Sequence, residues 1–118
     1  MSTVANVAVA LVALLHVYFL VLEMFLWDKP AGLRAFGHTA DAARASKVLA
    51  ANQGLYNGFL AAGLVWGIAL GSAGTPVKTF FLACIIVAGL YGGMTANRKI
   101  VLVQAVPAAI ALALVLAS

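Results

Sequence analysis

Between Val4 and Trp27 the chain carries a single charged side chain, Glu23, in a run otherwise dominated by Ala, Val, Leu and Phe. A spanning helix needs about 20 mainly apolar residues, and four such runs follow one another: Val4–Trp27, Lys47–Gly71, Val77–Thr95 and Ile100–Ala117. Composition excludes the alternatives. Of 118 residues, 65% are hydrophobic and 8% charged, whereas soluble domains carry about 25% charged residues and a short domain leaves roughly a third of its surface unburied. The apolar excess needs lipid as its solvent. One cysteine rules out a disulfide scaffold, and a net charge of +4 without a contiguous basic run argues against nucleic acid as a partner. The expected fold is all-α: an integral membrane four-helix bundle forming one domain over residues 1–118.

The breaks are short. Asp28-Lys29-Pro30 ends the first run, since the residue before a proline is pushed out of the helical region. Ser72-Ala73-Gly74-Thr75-Pro76 reads as a tight turn, and Asn97-Arg98-Lys99 separates the last two runs. Met1-Ser2-Thr3 brings no positive charge and no small-residue cleavage site precedes Asp28, so the first run reads as a permanent span and not as a secretory signal. The one sizeable loop, residues 28–46, contains Thr39, which can cap a helix from Ala40 with Asp41 favourably placed in its first turn. Continued to Gly71, that helix would measure roughly 48 Å and project from a hydrocarbon core of about 30 Å. Lys29, Arg34, Arg44, Lys47, Arg98 and Lys99 flank one side of the spans, with Lys78 alone on the other. The positive-inside rule then places the 28–46 loop in the cytoplasm and both chain ends outside it.

Polar side chains inside a lipid-embedded helix are costly and are functional candidates by default. His16, Leu20, Glu23 and Trp27 fall on one stripe of the first span, with His16 roughly 10.5 Å deeper than Glu23. On the second span Asn52, Gln53, Tyr56 and Asn57 share one side. Counted from Lys47, Gln53 lies roughly 9 Å in and Asn57 roughly 15 Å in, which matches Gln53 to Glu23 and Asn57 to His16. Tyr91 on the third span and Gln104 on the fourth add to the same half, while the outer half is nearly all Ala, Leu, Val and Gly. The expectation is a polar cavity in the cytoplasmic half, lined by His16, Glu23, Asn52, Gln53, Tyr56, Asn57, Tyr91 and Gln104.

Glu23 is the strongest candidate, because ionising a carboxyl in hydrocarbon costs several kcal/mol unless it is paired or hydrated. Against that stands a packing role, with Glu23 bonded to Gln53 or Gln104 to join helices. Pro107 lacks an N–H and frees the carbonyl of Val103 beside Gln104. Trp27 reads as an interfacial anchor and Cys84 as a small packing residue. Gly54/Gly58, Gly63/Gly67, Gly67/Gly71 and Gly89/Gly93 have the spacing that lets helices approach closely in lipid. Two His and one Cys form no zinc, haem or iron–sulfur pattern. No phosphate loop or nucleophile elbow is present, so no cofactor or metal is expected.

The segments His16–Trp27 and Asn52–Phe59, with Ala88-Gly89-Leu90-Tyr91-Gly92 and Gln104-Ala105-Val106-Pro107-Ala108, resemble a family of small bacterial membrane proteins called domain of unknown function 1304. The resemblance covers nearly the whole chain and implies a four-helix protein of the bacterial inner membrane. It supplies no activity. Three readings stay open: binding or transport of a small lipophilic or cationic molecule with Glu23 as proton-linked anchor; an isomerase-like intramembrane enzyme using Glu23 and His16 as acid and base; and a structural membrane subunit. The lone membrane glutamate, four spans and chain length also resemble small multidrug exporters, at fold level only. The basic bias opposes an antiparallel dual-topology pair and leaves a parallel homo-oligomer open.

Overall fold

Backbone chemistry at a few residues decides where each helix stops in the computed structural model, which describes residues 2–118; Met1, part of the leader reading, lies outside the described residues. Helix α1, Thr3–Met24, ends before a turn over residues 25–29, and Lys29 caps the next helix in the extended backbone (φ −97°, ψ 164°) that a following proline requires. Helix α2, Pro30–Phe36, closes on Gly37 at φ 66°, a left-handed conformation that glycine adopts without a Cβ clash. Helix α3, Ala40–Ala45, begins where Thr39 Oγ1 accepts from the Ala42 N–H at 3.2 Å.

The continuous helix expected from Ala40 to Gly71 is interrupted. Ser46 leaves the helical region (φ −110°, ψ 11°). Its hydroxyl donates to the Ala42 carbonyl at 2.8 Å and accepts from Trp27 Nε1 at 3.1 Å. A serine competing for backbone partners in this way is a known helix interrupter. Helix α4 then runs from Lys47 to Ala69, a 3₁₀ turn covers Gly71–Gly74, and α5 runs from Thr75 to Thr95. A π-helical turn, Val101–Ala105, leads into α6, Val106–Ala117. Among the described residues there is no strand.

Two helical stretches, Thr3–Met24 and Gly71–Thr95, are long and apolar enough to cross a membrane, and Val101–Ala117 is a shorter apolar helix. Helix α4, diluted by Asn52, Gln53 and Asn57, is not among them. On α1 the buried positions Ala5, Val9, Val12, His16 and Glu23 recur at the spacing of one helix face. Val4, Val7, Leu11, Leu14 and Val21 stand exposed between them.

The chain divides into two compact units: residues up to Ala13 with Ala62–Ser118, and Leu14–Ala61. In the first, α5 lies against α6 and the π-turn, and its core is built of Leu64, Leu82, Ile85, Ala108, Ala111 and Val115. The second contains α2, α3 and the adjoining portions of α1 and α4. There His16, Leu22, Glu23, Ala43 and Ala50 are buried.

Candidate functional site

Within the Leu14–Ala61 unit, the acid of α1 meets an amide of α4 because glycines clear the way. A Cβ on Gly54 would stand 2.6 Å from Met24 Cγ and 3.1 Å from Glu23 Cβ, and one on Gly58 would stand 2.6 Å from Leu20 Cδ1. Their missing side chains let the α4 backbone settle onto the Leu20–Met24 segment. Asn57, on the turn between them, then reaches across, and its Nδ2 donates to Glu23 Oε1 at 2.5 Å. Glu23 is 8% exposed, so the carboxyl faces protein.

The amide stands where the sequence placed Gln53 or Gln104. The depth count treated the residues between Glu23 and Asp28 as helix at about 1.5 Å each, but the chain leaves the helix after Met24. The partner in the structure, Asn57, lies one helical turn further along α4 than Gln53.

The chain holds three acids. The other two are engaged by cations: Arg44 pairs with Asp41, and Lys47 Nζ donates to Asp28 Oδ2 at 3.1 Å. The Lys47 hydrogen bond holds the Asp28 carboxyl below the usual carboxylate range. Glu23 has an amide where these have ammonium or guanidinium groups.

The remaining candidates are placed individually. His16 is fully buried, with its ring edge-on to Phe19 at 5.3 Å. Seven residues along one helix keep it roughly 10.5 Å from Glu23 in axial rise. Asn52 is exposed and donates to the Val48 carbonyl of its own helix at 2.9 Å, Gln53 is exposed, and Tyr56 is 57% exposed. Tyr91 and Gln104 belong to the other unit; Tyr91 is 68% exposed and Gln104 half-buried. The structure thus joins Glu23 to Asn57. A surface depression on the molecule is apolar and runs along α5, lined by Phe80, Ala83, Cys84, Val87, Ala88 and Tyr91. Tyr91 is the one candidate at its edge.

Pro107 stands in the first turn of α6. The turn before it widens to a π-turn, with the Val106 N–H bonded to the Val101 carbonyl. A wider turn relieves the clash that a proline ring makes with the carbonyl four residues earlier.

Sequence reasoning missed a second polar pair. Lys78, taken as the lone charge of the outer loops, is fully buried and its Nζ donates to Asn6 Oδ1 at 3.0 Å. In the sequence Asn6 is only an isolated polar residue in the first turns of α1; the gap at Gly67 that Lys78 Cγ fills, 2.5 Å from where a Cβ would stand, emerges with the structure.

No solved structure matches the chain. It is similar to the uncharacterized protein YpaA of Lactococcus lactis subsp. lactis (strain IL1403), at 38% identity over 96 residues, 80% of this chain and 81% of that protein. The model of the family described as "Protein of unknown function (DUF1304)" matches residues 10–116, which include both Glu23 and Asn57, and the chain belongs to that family.

Proposed function

We propose that the chain is a multi-pass inner-membrane protein of four spans, both termini outside the cytoplasm, whose Glu23–Asn57 pair is a proton-linked site for a small lipophilic cation. One observation carries this reading: a buried acid whose described partner is a neutral amide, while the chain's other two acids hold cations. A carboxyl in that setting needs either a proton or an arriving positive charge. Asn57 donates to the oxygen in both states and fixes its position. Proton and cation then compete for one carboxylate, which links binding of the cation to release of the proton.

The membrane reading draws support from α1 and the Gly71–Thr95 stretch and from the exposed apolar side chains of both. Exposed apolar faces of this extent suit lipid. Six basic residues in the 28–47 and 97–99 segments support the orientation. His16, deeper on the buried face of α1, is the second group of the site. Asn52, Gln53 and Tyr56, exposed on α4, are secondary contacts.

Tetraphenylphosphonium binding to the purified protein across pH tests the reading. Affinity should rise with pH as the carboxyl loses its proton. Glu23→Gln should bind at least about tenfold more weakly, the equivalent of one charge interaction of roughly 1.4 kcal/mol, and without pH dependence. Unchanged binding by folded Glu23→Gln removes the site. Loss of the fold in both Glu23→Gln and Asn57→Leu supports a helix-joining role instead.

A further inference from the structure

The segment between α1 and α4 is a built platform, held by aromatic and polar contacts at the end of α1. Trp27 packs against Phe36 with ring centroids 4.7 Å apart and against His38 at 4.3 Å, while Phe36 and His38 lie nearly parallel at 5.9 Å. His38 Nε2 donates to the Trp27 carbonyl at 3.2 Å, and Trp27 Nε1 donates to Ser46 Oγ at 3.1 Å, which ties the two ends of the loop together. Gly32 is buried against the Leu26 and Trp27 carbonyls, so closely that a Cβ would overlap the Leu26 carbonyl oxygen. Helix α2 is therefore pressed onto the end of α1 and not free in solvent. For a helix that spans a membrane, that level is the interface between acyl chains and water.

The charge on this platform is unbalanced. Its two acids are engaged: Asp28 with Lys47, and Asp41 with Arg44. Lys29 and Arg34 are exposed and form no ion pair among the described residues. The third acid of the chain, Glu23, is buried against Asn57. Lys29 shares the field of its neighbour Asp28, whose carboxylate is bonded to Lys47, and Arg34 has no ion pair among the described residues, so both exposed cations are open to negative charge from outside the chain. Beside them stand Trp27 and the part-exposed ring of Phe36, side chains suited to the headgroup level. Cations of this kind are drawn to anionic lipid surfaces, and a guanidinium matches a phosphate with paired N–H donors.

We propose that α2, through Lys29 and Arg34 together with the Trp27–Phe36 ring pair of the same segment, is a docking surface for the anionic phospholipid headgroups of the protein's own membrane. This rests on the membrane reading above. Each basic residue near such a surface raises headgroup occupancy about fivefold, so the pair gives a preference on the order of tenfold or more over zwitterionic lipid.

The test uses the full chain with Trp66→Phe, which leaves Trp27 as the sole tryptophan, in vesicles where either phosphatidylglycerol or phosphatidylcholine carries brominated acyl chains at equal mole fraction. Brominated phosphatidylglycerol should quench Trp27 more strongly. That preference should collapse in Lys29→Gln/Arg34→Gln, whose helicity should match the parent, and persist in Arg98→Gln/Lys99→Gln and in the presence of free glycerol phosphate. Equal quenching by both lipids in the parent overturns the proposal but leaves membrane insertion standing. Equal loss in Arg98→Gln/Lys99→Gln overturns it in favour of diffuse charge, and reversal by glycerol phosphate overturns it in favour of a soluble anion. No quenching by either lipid overturns the membrane reading and this proposal with it.

Discussion

A carboxyl at 8% exposure with an amide for a partner behaves differently from one in an ion pair, because no fixed positive charge stabilises its ionised form. Removing the amide leaves a buried polar group unsatisfied, whereas removing both partners leaves only packing to repair. Asn57→Leu should therefore cost about 1–3 kcal/mol of stability, and Glu23→Leu/Asn57→Leu should be less destabilised than the sum of its two single changes. Unfolding of the four variants in detergent measures the coupling; additive costs would mean that the bond carries no weight. The inward aim of Glu23 was legible in the sequence, since its seven-residue spacing from His16 puts both on one face. Its partner was not, because depth counted along each helix does not include the path of residues 25–46, which sets the register of α4 against α1. Lys78 illustrates the same limit, for a lone lysine near a loop gives no hint that an Asn on another helix will accept its ammonium.

Among the elements, the glycine pairs have unequal consequences that their spacing alone does not reveal. At Gly58 a new Cβ would meet Leu20 Cδ1 at 2.6 Å, the mobile tip of a side chain that can turn aside. At Gly89 it would meet the Ala105 backbone nitrogen at 2.6 Å and Ala105 Cβ at 2.8 Å. Backbone inside the π-turn cannot yield without separating α5 from that turn. Gly89→Ala should lower stability by about 1–3 kcal/mol through overpacking, and Gly58→Ala by less. Thermal unfolding of the two variants gives the order, and a larger loss at Gly58 would show that the two seams pack differently from this description. The sequence showed the four apolar runs and the breaks at Pro30 and Pro76. It could not show that Ser46 would separate α3 from α4, since that depends on Trp27 donating to the serine hydroxyl from the far end of the loop.

At the scale of the molecule, orientation depends on where positive charge sits relative to the span ends, and the buried position of Lys78 sharpens that comparison. A lysine enclosed by protein and bonded to Asn6 is not a loop charge. Discounting it leaves Lys29, Arg34, Arg44, Lys47, Arg98 and Lys99, all within the two segments that the proposed four-span reading assigns to the cytoplasmic side. Of these, Arg44 and Lys47 are paired with acids, but the rule counts basic residues and not net charge, so the bias holds. The chain's one cysteine, Cys84, is half-buried, and Cys84→Ala gives a background for placing single thiols. In that background Ser72→Cys, in the exposed 3₁₀ turn, should react with a membrane-impermeant maleimide on intact cells. Ala35→Cys, on exposed α2, should react only after the membrane is opened. The reverse pattern would invert the proposed orientation. Labelling of both sites on intact cells would point to insertion in two directions, which would reopen the antiparallel pairing that the distribution of basic residues argues against.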